Sequence, residues 1–155
     1  MTAQAEGAAA VELLATRFPD ALVETGSFRD QHWAVIAAPR WLEVARWLRD
    51  EPKAGYDVLL DVTAVHWPHR KPPMEVVAHL YSHSRNDRVR LKARVEDRGP
   101  IASLTPLWRS ADWNEREAFD MFGIVFEGHP DLRRILMPED YTDFPLRKEL
   151  PLFRG

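Results

Sequence analysis

The stretch MEVVAHLYSHSRNDRVRLKARV, residues 74–95, decides the fold. Its first half is β-branched and aromatic, as a strand requires, and "NDR" supplies a turn into "VRLKARV". In that second strand Val89, Leu91, Ala93 and Val95 point one way while Arg88, Arg90, Lys92 and Arg94 point the other. A strict period of two with one apolar and one basic face predicts a half-buried antiparallel strand. Two functions suit the basic face: a contact for phosphate or an acidic partner, or a solvated sheet face whose charges discourage aggregation. The second is favoured, because isolated cationic rows usually serve it.

Upstream, "YDVLLDVTAVHW" also alternates, with Val58, Leu60, Val62 and Ala64 expected on one face and Asp57, Asp61 and Thr63 on the other. "PHRKPP" links it to Met74, so three consecutive strands form an antiparallel meander. Further upstream, "HWAVIAA" is a short buried strand. "PRWLEVARWLRD" is a helix with Pro39 in its first turn, burying Trp41, Val44, Ala45 and Leu48 and wetting Arg40, Glu43, Arg46 and Arg49. Val11, Leu14, Ala15 and Phe18 recur at helical spacing, with Glu6 near the N-terminal end and Pro19 as a stop, which predicts a first helix over 8–18.

Downstream of Gly99 no further strand is expected. "SLTPLW" suggests a helical turn capped by Ser103 or Thr105. Asp112 with Glu115 resembles a capping box and Gly123 suits the C′ position, so 113–122 should be a helix. After Phe126, Gly128, Pro130, Pro138, Pro145 and Pro151 interrupt every period. The chain therefore divides into one α+β domain over 1–126, mostly antiparallel sheet with helices on one face, and an extended C-terminal docking tail over 127–155.

At 155 residues the chain holds one core, and a net charge of −3 offers no global field for nucleic acid or an anionic membrane. Its lack of cysteine removes disulfides, thiolate nucleophiles and ordinary iron–sulfur ligation. No apolar run approaches the roughly 20 residues that span a bilayer, and the acidic, alanine-rich start is no signal peptide, so a cytoplasmic chain is expected.

Chemical candidates are few. Glu117 and Asp120 are spaced to share a helix face as an acid/base pair would, but a short charged helix more often shows such acids to solvent or to a partner. His66 with His69, and His79 with His83, invite a metal. On a strand, however, side chains four apart are roughly 13 Å from each other, which favours ordinary sheet histidines. Arg133, Arg134, Arg147 and Lys148 could clamp phosphate, yet Asp131, Glu139, Asp140, Asp143 and Glu149 balance them. The tail's Leu132, Ile135, Leu136, Met137, Tyr141, Phe144, Leu146 and Leu150 cannot all be covered by a segment without secondary structure. Apolar groups on a stiff, charge-balanced segment are what an obligate interface contains.

The run EREAFDMFGIVFEGHPDLRRILMPED, residues 115–140, followed by PLRKELP, residues 145–151, resembles the C, or 30 kDa, subunit family of proton-translocating NADH–quinone oxidoreductase, respiratory complex I. Glu115, Arg116, Glu117, Asp120, Met121, Phe122, His129, Arg133, Ile135 and Leu136 meet the family pattern, and the likeness covers roughly residues 11–151. His66, Asp143 and Leu150 depart from the usual residues, and the chain ends soon after the motif.

The resemblance implies a structural subunit without catalytic residues in the peripheral arm, on the cytoplasmic side of the cell membrane. It would dock on the D subunit that helps form the quinone pocket and bind no cofactor itself, within a complex that uses FMN, iron–sulfur clusters, NADH and quinone. It assigns the subunit interface to Glu115, Arg116, Glu117, Asp120, Phe122, Gly123, Gly128, His129, Pro130, Asp131, Arg133, Arg134, Pro138, Pro145, Leu146, Arg147 and Lys148. The alternatives are the equivalent subunit of a membrane-bound hydrogenase or formate hydrogenlyase, and an RNA-binding module using the Arg88 to Arg94 row; the family reading expects no nucleic acid.

Overall fold

The computed structural model describes residues 6–133 and Phe144. Within them the elements are α1 (Ala8–Arg17), β1 (Leu22–Phe28), β2 (Gln31–Ile36), a 3-10 turn (Ala38–Arg40) leading into α2 (Trp41–Asp50), β3 (Val58–His66), β4 (Met74–Ser82), β5 (Asp87–Val95), β6 (Ile101–Ala102), α3 (Ala111–Phe122) and β7 (Phe126–Glu127). The main sheet has the order β1-β2-β5-β4-β3, and every pair is antiparallel except β2 with β5. The architecture is α+β with a mostly antiparallel sheet, as expected.

The meander stands where the sequence places it: His79 pairs with Arg90 and Ala78 with Leu91 across β4 and β5. Val89, Leu91, Ala93 and Val95 are buried in one cluster with Leu14 of α1 and with Trp41, Val44, Ala45 and Leu48 of α2. The opposite sheet face, carrying Arg88, Arg90, Lys92 and Arg94, has neither of these helices on it.

Several expectations need correction. The uniform alternation in the strand before His66 fails, because the register shifts between Leu59 and Asp61. The bulge reverses parity: Leu59 is buried and Leu60 is 46% exposed, so Val58 and Leu60 do not share the buried face of Val62 and Ala64. An unexpected strand, β1, forms a hairpin with β2 through Arg29 and Asp30, both in the left-handed region at φ 52 and 63°. Such two-residue turns are usually marked by Asn-Gly, and β1 is an almost wholly exposed edge strand, so neither signal was there to read. Strands also continue past Gly99, where β6 pairs in parallel with β7 across the α3 crossover.

The proposed capping box does not form. Helix α3 begins at Ala111, and its N-cap Ser110 makes no side-chain cap bond. Instead the Ser110 hydroxyl donates to the Leu59 carbonyl at 3.0 Å and the Trp108 indole N–H donates to the Asp57 carbonyl at 2.9 Å. Together they stitch the turn that leads into α3 to the beginning of the edge strand β3. At the other end Gly123 is the left-handed residue expected, at φ 83°, with its N–H bonded to the Phe119 carbonyl.

Candidate functional site

The residues of the 115–133 motif fall into three groups, and the first is buried. Glu115 sits one turn into α3 on its inward side and is 0% exposed. Its Oε1 accepts the Ser103 hydroxyl at 2.6 Å and its Oε2 accepts the Leu104 N–H at 2.7 Å. With that hydrogen committed, the Ser103 oxygen accepts the Thr105 hydroxyl at 2.7 Å and the Thr105 N–H at 3.1 Å. Glu115 thus latches α3 to the loop after β6. Burial pushes its carboxyl up to about 7, against the pull of the Leu104 N–H and the Ser103 hydroxyl, while Asp112 adds to the rise. Asp120 is also fully buried, so it does not share an exposed face with Glu117. Helical geometry does not account for this: residues 115, 118, 121 and 122 turn toward β3 and the core, whereas at about 100° per residue Asp120 falls on the other side of α3, between Trp113 and Arg116, and is covered there by other packing.

The second group closes the chain after β7. The side chain of His129 is fully buried. The Asp131 N–H donates to its Nδ1 at 2.9 Å, so the neutral ring carries its proton on Nε2, which lies 3.1 Å from the Asp112 carbonyl and 3.2 Å from the Asp112 carboxylate. The Asp131 carboxylate in turn holds Arg133 in a two-point pair at 2.7 and 2.9 Å. Arg116 Nε reaches the Arg133 carbonyl at 3.5 Å. One histidine therefore ties the segment 129–133 to the first turn of α3.

Gly123 belongs to a third contact. A Cβ there would come within 2.7 Å of the Phe144 ring, which packs edge-on to Phe119 and lies under the Arg98 guanidinium at 4.9 Å. Gly128, also at φ 83°, has nothing within 4 Å of such a Cβ and is required by its backbone angle alone. Of the remaining motif positions, Arg134, Pro138, Pro145, Leu146, Arg147 and Lys148 lie outside the described residues.

What the motif leaves on the surface is the outer side of α3. Trp113 is 55% exposed, with the Arg116 guanidinium 5.8 Å from its ring centre, and Glu117 is exposed beside it. Glu117 borders a small recess against Asp61, Thr63 and Met121. Among the described residues of the motif no arrangement joins a nucleophile to a base. Glu115 and His129 are bonded within the chain itself.

The histidine pairs separate. His66 is buried, His69 exposed, His79 half-buried, and His83 bonds Asp57 through both its backbone N–H and its Nδ1, each at 3.1 Å. Among the described residues no three histidine or acidic side chains are grouped to hold a metal, and no helix is long and apolar enough to cross a membrane. The basic row of β5 is largely engaged. Arg90 donates to Gln31, Lys92 lies 4.5 Å over the Trp33 ring, and Arg94 pairs with Glu24 and faces Glu75 at 3.9 Å. Sequence reasoning missed the partners of Glu115, Ser103 and Leu104, because an i+3 acid after Asp112 imitates a local cap. A glutamate on the inward side of a predicted amphipathic helix was the available signal.

The family described as respiratory-chain NADH dehydrogenase, 30 Kd subunit, matches residues 34–154. The C subunit of NADH-quinone oxidoreductase from Roseiflexus sp. (strain RS-1) is 43% identical over 95% of this chain and 85% of its own length. That of Citrifermentans bemidjiense is 45% identical over 96% and 91%. Among solved structures, the trypsin-resistant fragment (1-134) of Nqo5 superposes with a TM-score of 0.65 at 28% identity, covering 79% of this chain and 98% of that one. A chain of the membrane-bound sulfane sulfur reductase, an archaeal respiratory membrane complex, superposes at 0.74 with 22% identity over 92% and 84%, a likeness of fold.

Proposed function

The chain belongs to the 30 kDa subunit family of respiratory-chain NADH dehydrogenase, and from that premise we propose that it is a structural subunit of the peripheral arm of an NADH–quinone oxidoreductase. Its outer α3 face and the segment beginning at Glu127 dock on the neighbouring quinone-pocket subunit, on the cytoplasmic side of the membrane. The observation that carries this reading is the internal use of the motif's chemistry. Glu115 and His129 hold α3, the loop after β6 and the segment 129–133 as one rigid piece, leaving Trp113 and Glu117 outward. An exposed tryptophan beside charges is the composition of a docking patch.

Electron transfer within the complex couples NADH oxidation to quinone reduction and proton translocation. The flavin and the iron–sulfur clusters it needs belong to other chains. The donors present here do not fit a cluster, because the chain contains no cysteine. The contribution of this chain is to fix the distances between its neighbours, which electron transfer requires to be constant. The apolar tail residues Ile135, Leu136, Met137 and Leu146 supply the remainder of the interface, where a host surface removes them from water.

A strain lacking this chain, complemented with Glu117→Ala or with Arg133→Ala, tests the reading. The amount of assembled complex on native gels and its NADH–quinone turnover should fall together, while the purified variant keeps its circular dichroism and Tm. A full complement of complex with lost turnover would instead assign direct chemistry to this chain.

A further inference from the structure

On the sheet face turned away from α1 and α2 lies a recess of about 200 Å³ that the motif does not touch. Its lining includes Glu6, Gln31, His32, Leu60, His79, Arg88 and Arg90. We propose that this recess receives a carboxylate side chain from an acidic segment of a neighbouring subunit. The proposal rests on the subunit reading above and adds a second docking surface, separate from α3.

The chemistry of the lining selects an anion. Arg88 is exposed and, among the described residues, its side chain makes no hydrogen bond or ion pair. Arg90 spends one N–H on the neutral Gln31 amide, which leaves its charge uncompensated. Two guanidinium groups thus meet one carboxylate, Glu6, at the walls. His79, opposite Arg90 in the β4–β5 register, feels the same field. Burial and then Arg90 hold its imidazole below the ordinary range; Lys92 and Arg88 act in the same direction, opposed only by Asp61. His32 adds a second observation: its Nδ1 is buried and has no hydrogen-bond partner among the described residues. Buried ring nitrogens are rarely left unpaired, and this one belongs to a residue of the recess lining.

Size and rim select a polypeptide. A volume of about 200 Å³ lies below the roughly 300–1,000 Å³ of cofactor and drug-sized pockets, and it suits a single small acidic group. The rim carries large apolar groups that water does not favour: Leu60, displaced outward by the β3 bulge, is 46% exposed. Phe28, opposite Gln31 in the β1–β2 register, is 65% exposed. Arginine anchors surrounded by exposed apolar side chains are the anatomy of a protein–protein contact. The charge sign then names the partner segment as acidic.

Carbodiimide coupling on the purified complex tests this. Arg88→Lys keeps the charge and presents an amine; combined with Glu6→Gln, it leaves the recess without a lining carboxylate of its own chain. Coupling should then join Lys at position 88 to an aspartate or glutamate of another subunit, read as one cross-linked peptide by mass spectrometry. Arg88→Glu should lower the share of complex retaining this chain through a salt wash by about tenfold. Retention unchanged by charge reversal, or coupling confined to carboxylates of this chain, overturns the proposal and leaves the subunit reading intact. Binding of the wild-type chain to phosphatidylglycerol vesicles, lost in Arg88→Glu with no cross-link to another subunit, overturns it in favour of a lipid headgroup. Absence of the unmodified chain from the purified complex overturns both.

Discussion

At pH 8 the carboxylate of Glu115 is ionised inside the protein with two donors, the Ser103 hydroxyl and the Leu104 N–H, and no cation among its bonded partners. Its carboxyl is pushed up to about 7 from the 4.5 of an ordinary glutamate, chiefly by burial. The native state therefore holds this proton more tightly than the unfolded chain. Stability associated with the group is fully present below about pH 4.5, is lost as pH rises through about 7, and stays lost above that. At roughly 1.4 kcal/mol for each tenfold change in proton affinity, the loss is about 3 kcal/mol. Glu115→Gln has no proton to release. Its amide oxygen can still accept the Leu104 N–H and its NH₂ can donate to Ser103, whose hydrogen then turns to Thr105, 2.7 Å away. Relative to wild type, the glutamine variant should gain about 3 kcal/mol between pH 4 and pH 8, read from urea unfolding of the full chain at several pH values. Taking the difference cancels the other titrating groups, including Asp57 and Asp20, whose carboxyls their hydrogen-bonded partners His83 and Arg40 hold low. Curves that run parallel across this range would refute the claim that an ionised, desolvated Glu115 strains the latch.

Three further outcomes are expected. Gly123→Ala should cost about 1–2 kcal/mol for its left-handed backbone and more for displacing Phe144, whereas Gly128→Ala should show the backbone penalty alone; thermal unfolding of the two variants checks the order. His129→Ala removes the acceptor for the Asp131 N–H and the donor to the Asp112 carbonyl and should lower stability by about 2 kcal/mol; proteolysis within 127–133, followed by mass spectrometry, should accelerate with it. Trp113→Ala should change the stability of the isolated chain by less than about 0.5 kcal/mol, because the side chain is exposed, yet reduce assembled complex on native gels.

Much of the fold was legible. The alternation of Val89 to Val95 against Arg88 to Arg94, the apolar stripe Trp41, Val44, Ala45 and Leu48, and the glycine stop at 123 each follow from a local period or a backbone angle. The bulge at Leu59–Asp61, the Arg29–Asp30 turn and the short β6–β7 pair were not, because each depends on a partner strand that no local period reveals. The resemblance carried by residues 115–151 already pointed to the family.

By itself, then, the sequence determined the α+β class, the antiparallel meander, the C-terminal ends of the principal helices, and the family of which the chain is a member. Only the tertiary structure decided what the charged groups do. Glu115 left its supposed cap for donors 11 and 12 residues back in the chain, and His129 closed on Asp112. Among the described residues, three of the four cations on β5 found partners while Arg88 stayed open beside a recess. Hydrophobic period is a property of neighbours along the chain, so it can be read in one dimension. The state of a charge depends on its burial and on which donors and acceptors come within about 3 Å, and those are brought together by packing alone.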